Sequence, residues 1–385
     1  MKTASPSNIH ITLTPLIHES RIFKEIHTLR TSKIFSDITI ISEGHKGLPT
    51  IKQAEKDLKV VRINYPYLIQ KKGFIYKLLK IFFFTFQALY YLFKVPTIKT
   101  TITCHSLLCL HIGVVLKLTK KVKLVYDAHE LESQQDGYSD LIKTILKLWE
   151  RILIKHVDYT IVVSNLIKEW YQLNHKINNI VTIRNIPLID TSIHPNNTSL
   201  KEKYNLKAQD ILFVYIGNLG TGRFIESLIE IFKDSEENKH LLFIGYGDFE
   251  GFIKETVLIY KNIHFHPAVQ PDNVISLLSS CDVGLSIIEN NGLSYYYCLP
   301  NKLFEYTVAG IPSIVSNFPE MTNFITSIQA GWVVEPDLEL VKVCIQKVTL
   351  EQIYMYKEEV RKHNTNISWK SEEANLITAY TVNAL

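Results

Sequence analysis

The residues best suited to chemistry lie in the stretch 281–320, CDVGLSIIENNGLSYYYCLPNKLFEYTVAGIPSIVSNFPE. Lys302 and Glu305 share a helical face, and Asn301 and Glu305 are one turn apart. Pro300 fits the first position of such a helix, where its missing N–H is not needed, and Gly310 followed by Pro312 ends it. A basic group, an amide and a carboxylate therefore line up beside a helix N-terminus, where free N–H groups and the dipole favour an anion. Glu289 closes an uncharged, strand-length run, 283–288, and leads into the turn residues Asn290, Asn291 and Gly292. A carboxylate accepts from a ribose diol, while lysine and helix N–H groups hold a diphosphate. A nucleotide sugar carries both groups.

A second candidate segment is Gly217-Asn218-Leu219-Gly220-Thr221-Gly222-Arg223, between a strand at 211–216 and a helix at 224–232. Its glycines let the backbone approach a diphosphate whose charge Arg223 and the helix N-terminus offset. The spacing is not GxGxxG, and no acidic residue follows at the end of a next strand, which discounts NAD. Taken alone, the segment reads first as a plain strand-to-helix turn. In the first half, two short β-rich runs end at loops bearing His105 and His129, the latter flanked by Asp127 and Glu130. For His105, capping and packing are the default.

These segments need scaffolds. Short β-rich runs at 8–13, 37–42, 60–64, 100–104, 123–126 and 159–163 alternate with helical spacing, and the pattern resumes after 211, predicting α/β domains with parallel sheets. At 385 residues the chain is too long for one ordinary core. The Pro-, Asn-, Thr- and Ser-rich stretch 187–199 reads as a linker. The expected division is a first domain over 1–188, a linker over 189–205, a second domain over 206–365, and a helix over 366–385.

The net charge of +4 is unevenly placed. Between Leu58 and Tyr126 there are twelve Lys or Arg and no Asp or Glu, which suits an anionic membrane surface, a polyphosphate-linked lipid or nucleic acid. Nucleic acid is discounted because the aromatics cluster in one apolar run. That run, 81–93, is flanked by Lys77, Lys80 and Lys94; its thirteen residues cover about 20 Å as a helix, too short to span a bilayer. It is either a buried helix or an interfacial one whose lysines reach lipid headgroups. Five cysteines with no CxxC pair imply neither a disulfide framework nor a zinc site, and the first twenty residues lack a signal-peptide core. A cytoplasmic protein is expected.

Stretch 281–320 resembles the signature of family 4 retaining glycosyltransferases, within glycosyl transferases group 1. Glu289, Gly292, Leu293, Glu305, Ala309, Gly310 and Pro312 carry the resemblance. One departure is the gap between the two glutamates, fifteen residues here against the usual seven. The resemblance implies the GT-B fold, two Rossmann-like domains facing across a cleft, the first binding acceptor and the second the nucleotide sugar, with the final helix returning to the first domain. It implies catalytic roles for His129 and Glu289 beside the transferred sugar. Donor binding falls to Gly217, Asn218, Gly220, Arg223, Gly245, Gly292, Leu293, Asn301, Lys302 and Glu305, with Asn218 where many members have a first basic residue. Arg21, His105, Lys77 and Lys80 are assigned to the acceptor or membrane side.

The implied activity is retaining transfer of a sugar to a saccharide or lipid-linked acceptor at the inner face of a membrane, in surface-polysaccharide assembly. The enzyme would be peripherally membrane-associated. The nucleotide sugar is a substrate, no cofactor is needed, and the lack of a DxD pattern predicts metal independence. Two alternatives share the fold: a nucleotide-sugar 2-epimerase and a catalytically silent partner subunit.

Overall fold

The computed structural model of the chain describes residues 6–17, 19–71, 73–188, 200–364 and 367–383. Residues 189–199 of the expected linker lie outside these. The chain divides into two compact units, Met1–Arg184 with Glu372–Leu385, and Asn185–Ser371.

The first unit is built on an eight-stranded sheet of β1 (Ser7–Thr12), β2 (Asp37–Glu43), β3 (Ile51–Glu55), β4 (Leu58–Ile63), β5 (Thr100–His105), β6 (Lys123–Ala128), β7 (Tyr159–Val162) and β8 (Ile180–Thr182). Their order is β3-β4-β2-β1-β5-β6-β7-β8. All neighbours run parallel except β3, which pairs antiparallel with β4 at the edge. The central strands are buried almost end to end, as a sheet covered on both faces requires. Crossovers are made by α1 (Ser20–Thr31), α2 (Phe74–Lys94), α3 (Leu107–Lys120), α4 (Asp140–Leu153) and α5 (Asn165–His175). Ser139 and Ser164 cap α4 and α5, each hydroxyl accepting a backbone N–H of the first turn. Strand order reverses between β1 and β5, so the carboxyl ends of β1, β5 and β6 surround the position where ligands bind in such sheets.

The returning tail is part of this unit. The Tyr380 hydroxyl lies 2.8 Å from Thr103 Oγ1, its ring meets Phe35 edge to face, and Glu372 accepts from Arg184.

The second unit carries a six-stranded parallel sheet of β9 (Ile211–Asn218), β10 (Lys239–Tyr246), β11 (Ile263–Pro267), β12 (Val283–Ser286), β13 (Ser313–Ser316) and β14 (Gly331–Val334), in the order β11-β10-β9-β12-β13-β14. Here the order reverses between β9 and β12. These two strands pair over only two positions before parting. Tyr306, fully buried on the helix Asn301–Val308, fills the gap: its hydroxyl donates toward Val214 and Leu285 oxygens at 3.1 and 3.0 Å and accepts from Ile216 N–H at 3.2 Å. One phenol thus satisfies backbone groups that the diverging strands leave open. Gly284 makes room for the ring, because a Cβ there would sit 2.4 Å from it.

Candidate functional site

In the second unit the site forms where β9 and β12 diverge. Lys302 sits in the first turn of Asn301–Val308, and its ammonium lies 3.5 Å from the centroid of the buried Tyr215 ring. It also lies against Gly217, where an added Cβ would be 3.8 Å from Nζ. Burial and then the nearby Arg223 push the Lys302 ammonium well below its ordinary pKa, with Glu305 partly opposing them. Arg223, at the end of the glycine-rich segment, stacks 4.7 Å from the Tyr295 ring centroid. Two cations therefore share one strand end. Glu289 N–H donates to Gly222 O, tying its loop to the glycine segment, and its carboxylate accepts from Asn291 at 3.0 Å.

Gly245 adopts φ +154°, and a Cβ there would fall 1.9 Å from Gly217 O. Only glycine lets the ends of β9 and β10 come this close. Asn218 is exposed, and its carbonyl accepts from Tyr215. Gly220 is buried behind it. The longer stretch between the two glutamates folds as a helical turn, Leu293–Tyr296, preceded by Gly292. Pro300 precedes the helix as its flanking residue, and Asn301, exposed, is the first helical one. This corrects the expected start by one position, since Pro300 is extended, at ψ 140°.

Tyr215, Tyr295 and Tyr306 were not among the expected site residues. Each acts through its ring or hydroxyl on a cation or backbone group, and nothing in a local run distinguishes such a tyrosine from core. Tyr295 alone had a signal: it belongs to the extra residues between the glutamates.

In the first unit a buried polar cluster gathers at the ends of β5 and β6. Asp127 accepts from Arg21 through both oxygens, at 2.8 and 3.3 Å. Its Oδ2 also lies 2.8 Å from His105 Nδ1 and 2.8 Å from His129 Nε2. His105 Nε2 meets His10 Nδ1 at 2.7 Å, so hydrogen bonds run from β1 through β5 to the loop after β6. Burial alone would raise the Asp127 carboxyl, but Arg21 and the imidazoles outweigh it and hold it well below the carboxylate range. Burial lowers His105 and, more strongly, His10, keeping both neutral. Glu25 lies 3.1 Å from Arg21, and burial with the Asp127 charge raises it to about 8.

Two of the residues expected on the acceptor side lie inside the unit. Arg21 is only 4% exposed, and its guanidinium is taken up by Asp127, Glu25 and the Ile183 carbonyl. A buried cation needs such partners, so Arg21 orders the cluster from within. His105 is likewise enclosed. His129, with its side chain 27% exposed, is the member of the His105–Asp127–His129 group that reaches the surface. Lys77 is exposed on α2, and Lys80, half-buried, lies over the Tyr65 ring at 5.7 Å. The ligand atoms of His105, Asp127 and His129 lie within 4.8 Å of one another, close enough to share a cation, although Arg21 already counters the Asp127 charge.

All five cysteines are free. No helix among the described residues is long and apolar enough to cross a membrane. On α2 the inner side buries Phe84, Ala88 and Leu92 completely, while Phe82 and Phe86 are 73% and 60% exposed. The helix is thus buried on one face and bare on the other.

No curated protein matches the chain by sequence. Among solved structures, sucrose-phosphate synthase from Thermosynechococcus elongatus superposes with a TM-score of 0.77 at 15% identity, covering 97% of this chain and 98% of that one. A protein of Anabaena, solved with UDP and glucose, gives 0.72 at 10% identity, over 98% and 100%. WaaG, a glycosyltransferase of lipopolysaccharide biosynthesis, gives 0.69 at 12% identity, over 97% and 99%. The fold is GT-B, with two Rossmann-like α/β units. Residues 196–357, nearly all of the second unit, match the family model of glycosyl transferases group 1.

Proposed function

We propose that the protein is a retaining glycosyltransferase, taking a sugar from a nucleotide-sugar donor to a saccharide or lipid-linked saccharide acceptor in cell-surface polysaccharide synthesis. The observation that carries this reading is the pairing of Lys302 and Arg223 at the end of β9. A desolvated ammonium beside a guanidinium is unfavourable until an anion arrives, and a diphosphate relieves both. Glu305, one turn along from Asn301, is assigned the ribose hydroxyls, and Glu289 and His129 the transferred sugar. The match of 196–357 to glycosyl transferases group 1 supports the donor class, as does the Anabaena neighbour solved with UDP and glucose.

In this mechanism the leaving diphosphate takes the proton of the incoming hydroxyl on the face it departs from, so the protein supplies little acid or base. Its contribution is orientation and charge: Arg223, Lys302 and the N-terminus of Asn301–Val308 offset the charge that builds on the diphosphate. With two side-chain cations in that role, the transfer needs no metal ion. A lipid-linked acceptor is met at the inner face of a membrane by a cytoplasmic, peripherally bound enzyme. The bare aromatic face of α2 supports that setting.

The test is incubation with a panel of nucleotide sugars, scoring thermal stabilisation and donor turnover with and without a chelator. One donor that stabilises the protein and is turned over in chelator is expected. Absence of any response across the panel would refute donor use.

A further inference from the structure

The helix α4 leaves most of its apolar residues exposed. Leu141, Ile145, Leu148, Trp149 and Ile152 recur at helical spacing along one face, which would ordinarily face a core. Here they are 70%, 56%, 60%, 43% and 48% exposed. The opposite side, turned into the unit, buries Leu153 together with polar groups. Glu150 is fully buried and accepts from the Tyr126 and Tyr171 hydroxyls, and Lys147 donates to Asn174 while lying 5.1 Å over the Trp170 ring. The polar contacts fix which face points inward, so the apolar stripe has no alternative place in the unit.

This stripe has a neighbour. His111 of α3 lies 2.8 Å from Thr85 Oγ1 of α2 on one side and 6.5 Å between ring centroids from Trp149 of α4 on the other. The bare stripes of α2 and α4 therefore flank a single helix. On α2, Phe86, Leu89, Tyr90, Phe93 and Lys94 line an apolar groove of about 430 Å³, with Lys94 over the Tyr90 ring at its rim. Cations border both stripes: Lys77 and Lys94 on α2, Arg151 and Lys155 beside α4, all exposed.

We infer that α4 and α2 together form a docking face for an anionic lipid bilayer, with the apolar stripes entering the interfacial layer and the cations reaching the headgroup phosphates. Charge decides between a bilayer and a second copy of this chain. Pairing two such faces would set these cations against one another, with Asp140 the one exposed acid on the two helices to offset them, whereas an anionic surface is complementary to them. This rests on the membrane setting proposed above and is independent of sugar transfer, because it is read by vesicle binding alone.

The test uses the full-length protein, flotation on vesicles of phosphatidylcholine with and without phosphatidylglycerol, and light scattering for oligomeric state. Wild type floats with the anionic vesicles and stays behind with the neutral ones. Ile145→Ser with Leu148→Ser, both at exposed positions, lowers the partition coefficient at least about tenfold, the equivalent of 1.4 kcal/mol, while circular dichroism and thermal midpoint stay near wild type. Phe82→Ser with Phe86→Ser does the same from α2. Trp149 emission shifts to the blue on anionic vesicles, a shift absent in Trp149→Phe. Undiminished flotation of the α4 variant, or a Trp149 emission that vesicles leave unmoved, overturns the inference. So does a dimer that the α4 substitutions break apart, since that would give the stripe to a second copy. Donor turnover measured in parallel on a soluble acceptor keeps failure of docking apart from failure of the enzymatic reading.

Discussion

The two units place their polar groups at the same point of the same topology, beside the strand where the sheet order reverses, yet they solve opposite problems there. In the first, Asp127 is enclosed by Arg21, His105 and His129, so charge is balanced within the protein. In the second, Lys302 is held well below its ordinary pKa first by burial and then by Arg223, and Glu305 only partly offsets them. A balanced cluster is already in its working arrangement and presents one imidazole, His129, to the outside. An unbalanced one is completed by a ligand. The comparison predicts that damage to the enclosed members of the first cluster, Arg21 and Asp127, reads out first as stability, and damage to the second as binding and turnover.

The largest effects are expected where the charge is unbalanced. Arg223→Ala and Lys302→Ala each lower turnover by about 10²–10³-fold, the range for removing one preorganised charge-stabilising group. Their thermal midpoints without donor stay near wild type. Lys302→Ala removes a desolvated cation and is expected to raise the ligand-free midpoint slightly, which a melting curve would check.

In the first unit the order of losses reverses. Asp127→Ala leaves Arg21 buried without its main counter-ion and costs about 3–5 kcal/mol of stability, measured by denaturant unfolding. Loss of activity at unchanged stability would instead make the cluster a reaction site throughout. In the second unit, outside its pair of cations, a smaller stability loss is expected for Tyr306→Phe. It strips the hydroxyl from three backbone groups between β9 and β12 and costs about 1–3 kcal/mol.

The balance also predicts a pH dependence. Glu25 is raised to about 8 by burial and the Asp127 charge, and Glu132, buried near Glu130, is also raised to about 8. Between the ordinary carboxyl range and about 8 the folded protein keeps protons that the unfolded chain has released. Stability therefore falls as pH rises through that window. Glu25→Gln combined with Glu132→Gln should flatten the fall, as followed by the thermal midpoint from pH 5 to 9.

Much of the second unit was legible because its signals are local. Gly310 and Pro312 end a helix, the glycine-rich segment follows a strand, and Lys302 precedes Glu305 at a spacing that fixes their common face. What was not legible depends on contacts distant in sequence. Arg21 reads as a loop cation, but its partner is Asp127, more than a hundred residues on, and this partner draws it into the interior. The edge strand β3, Ile51–Glu55, is exposed at every position and so lacks the alternation that marks a half-buried strand. The periodicity of α4 announces an amphipathic helix, yet its inward face is chosen by Tyr126, Tyr171 and Asn174, which no local pattern supplies. The site tyrosines were missed for the same reason, since a ring under a cation looks like any other aromatic in sequence.

The most direct test of the unbalanced site is proton linkage on binding a nucleoside diphosphate. Titration calorimetry between pH 7 and 10, in buffers of different ionisation enthalpy, reads the protons exchanged. An incoming diphosphate should raise the depressed Lys302 pKa, so binding takes up protons and affinity falls as pH rises, and Lys302→Ala abolishes the uptake. Binding with no proton uptake anywhere in that range, or equal uptake in Lys302→Ala, would contradict the account.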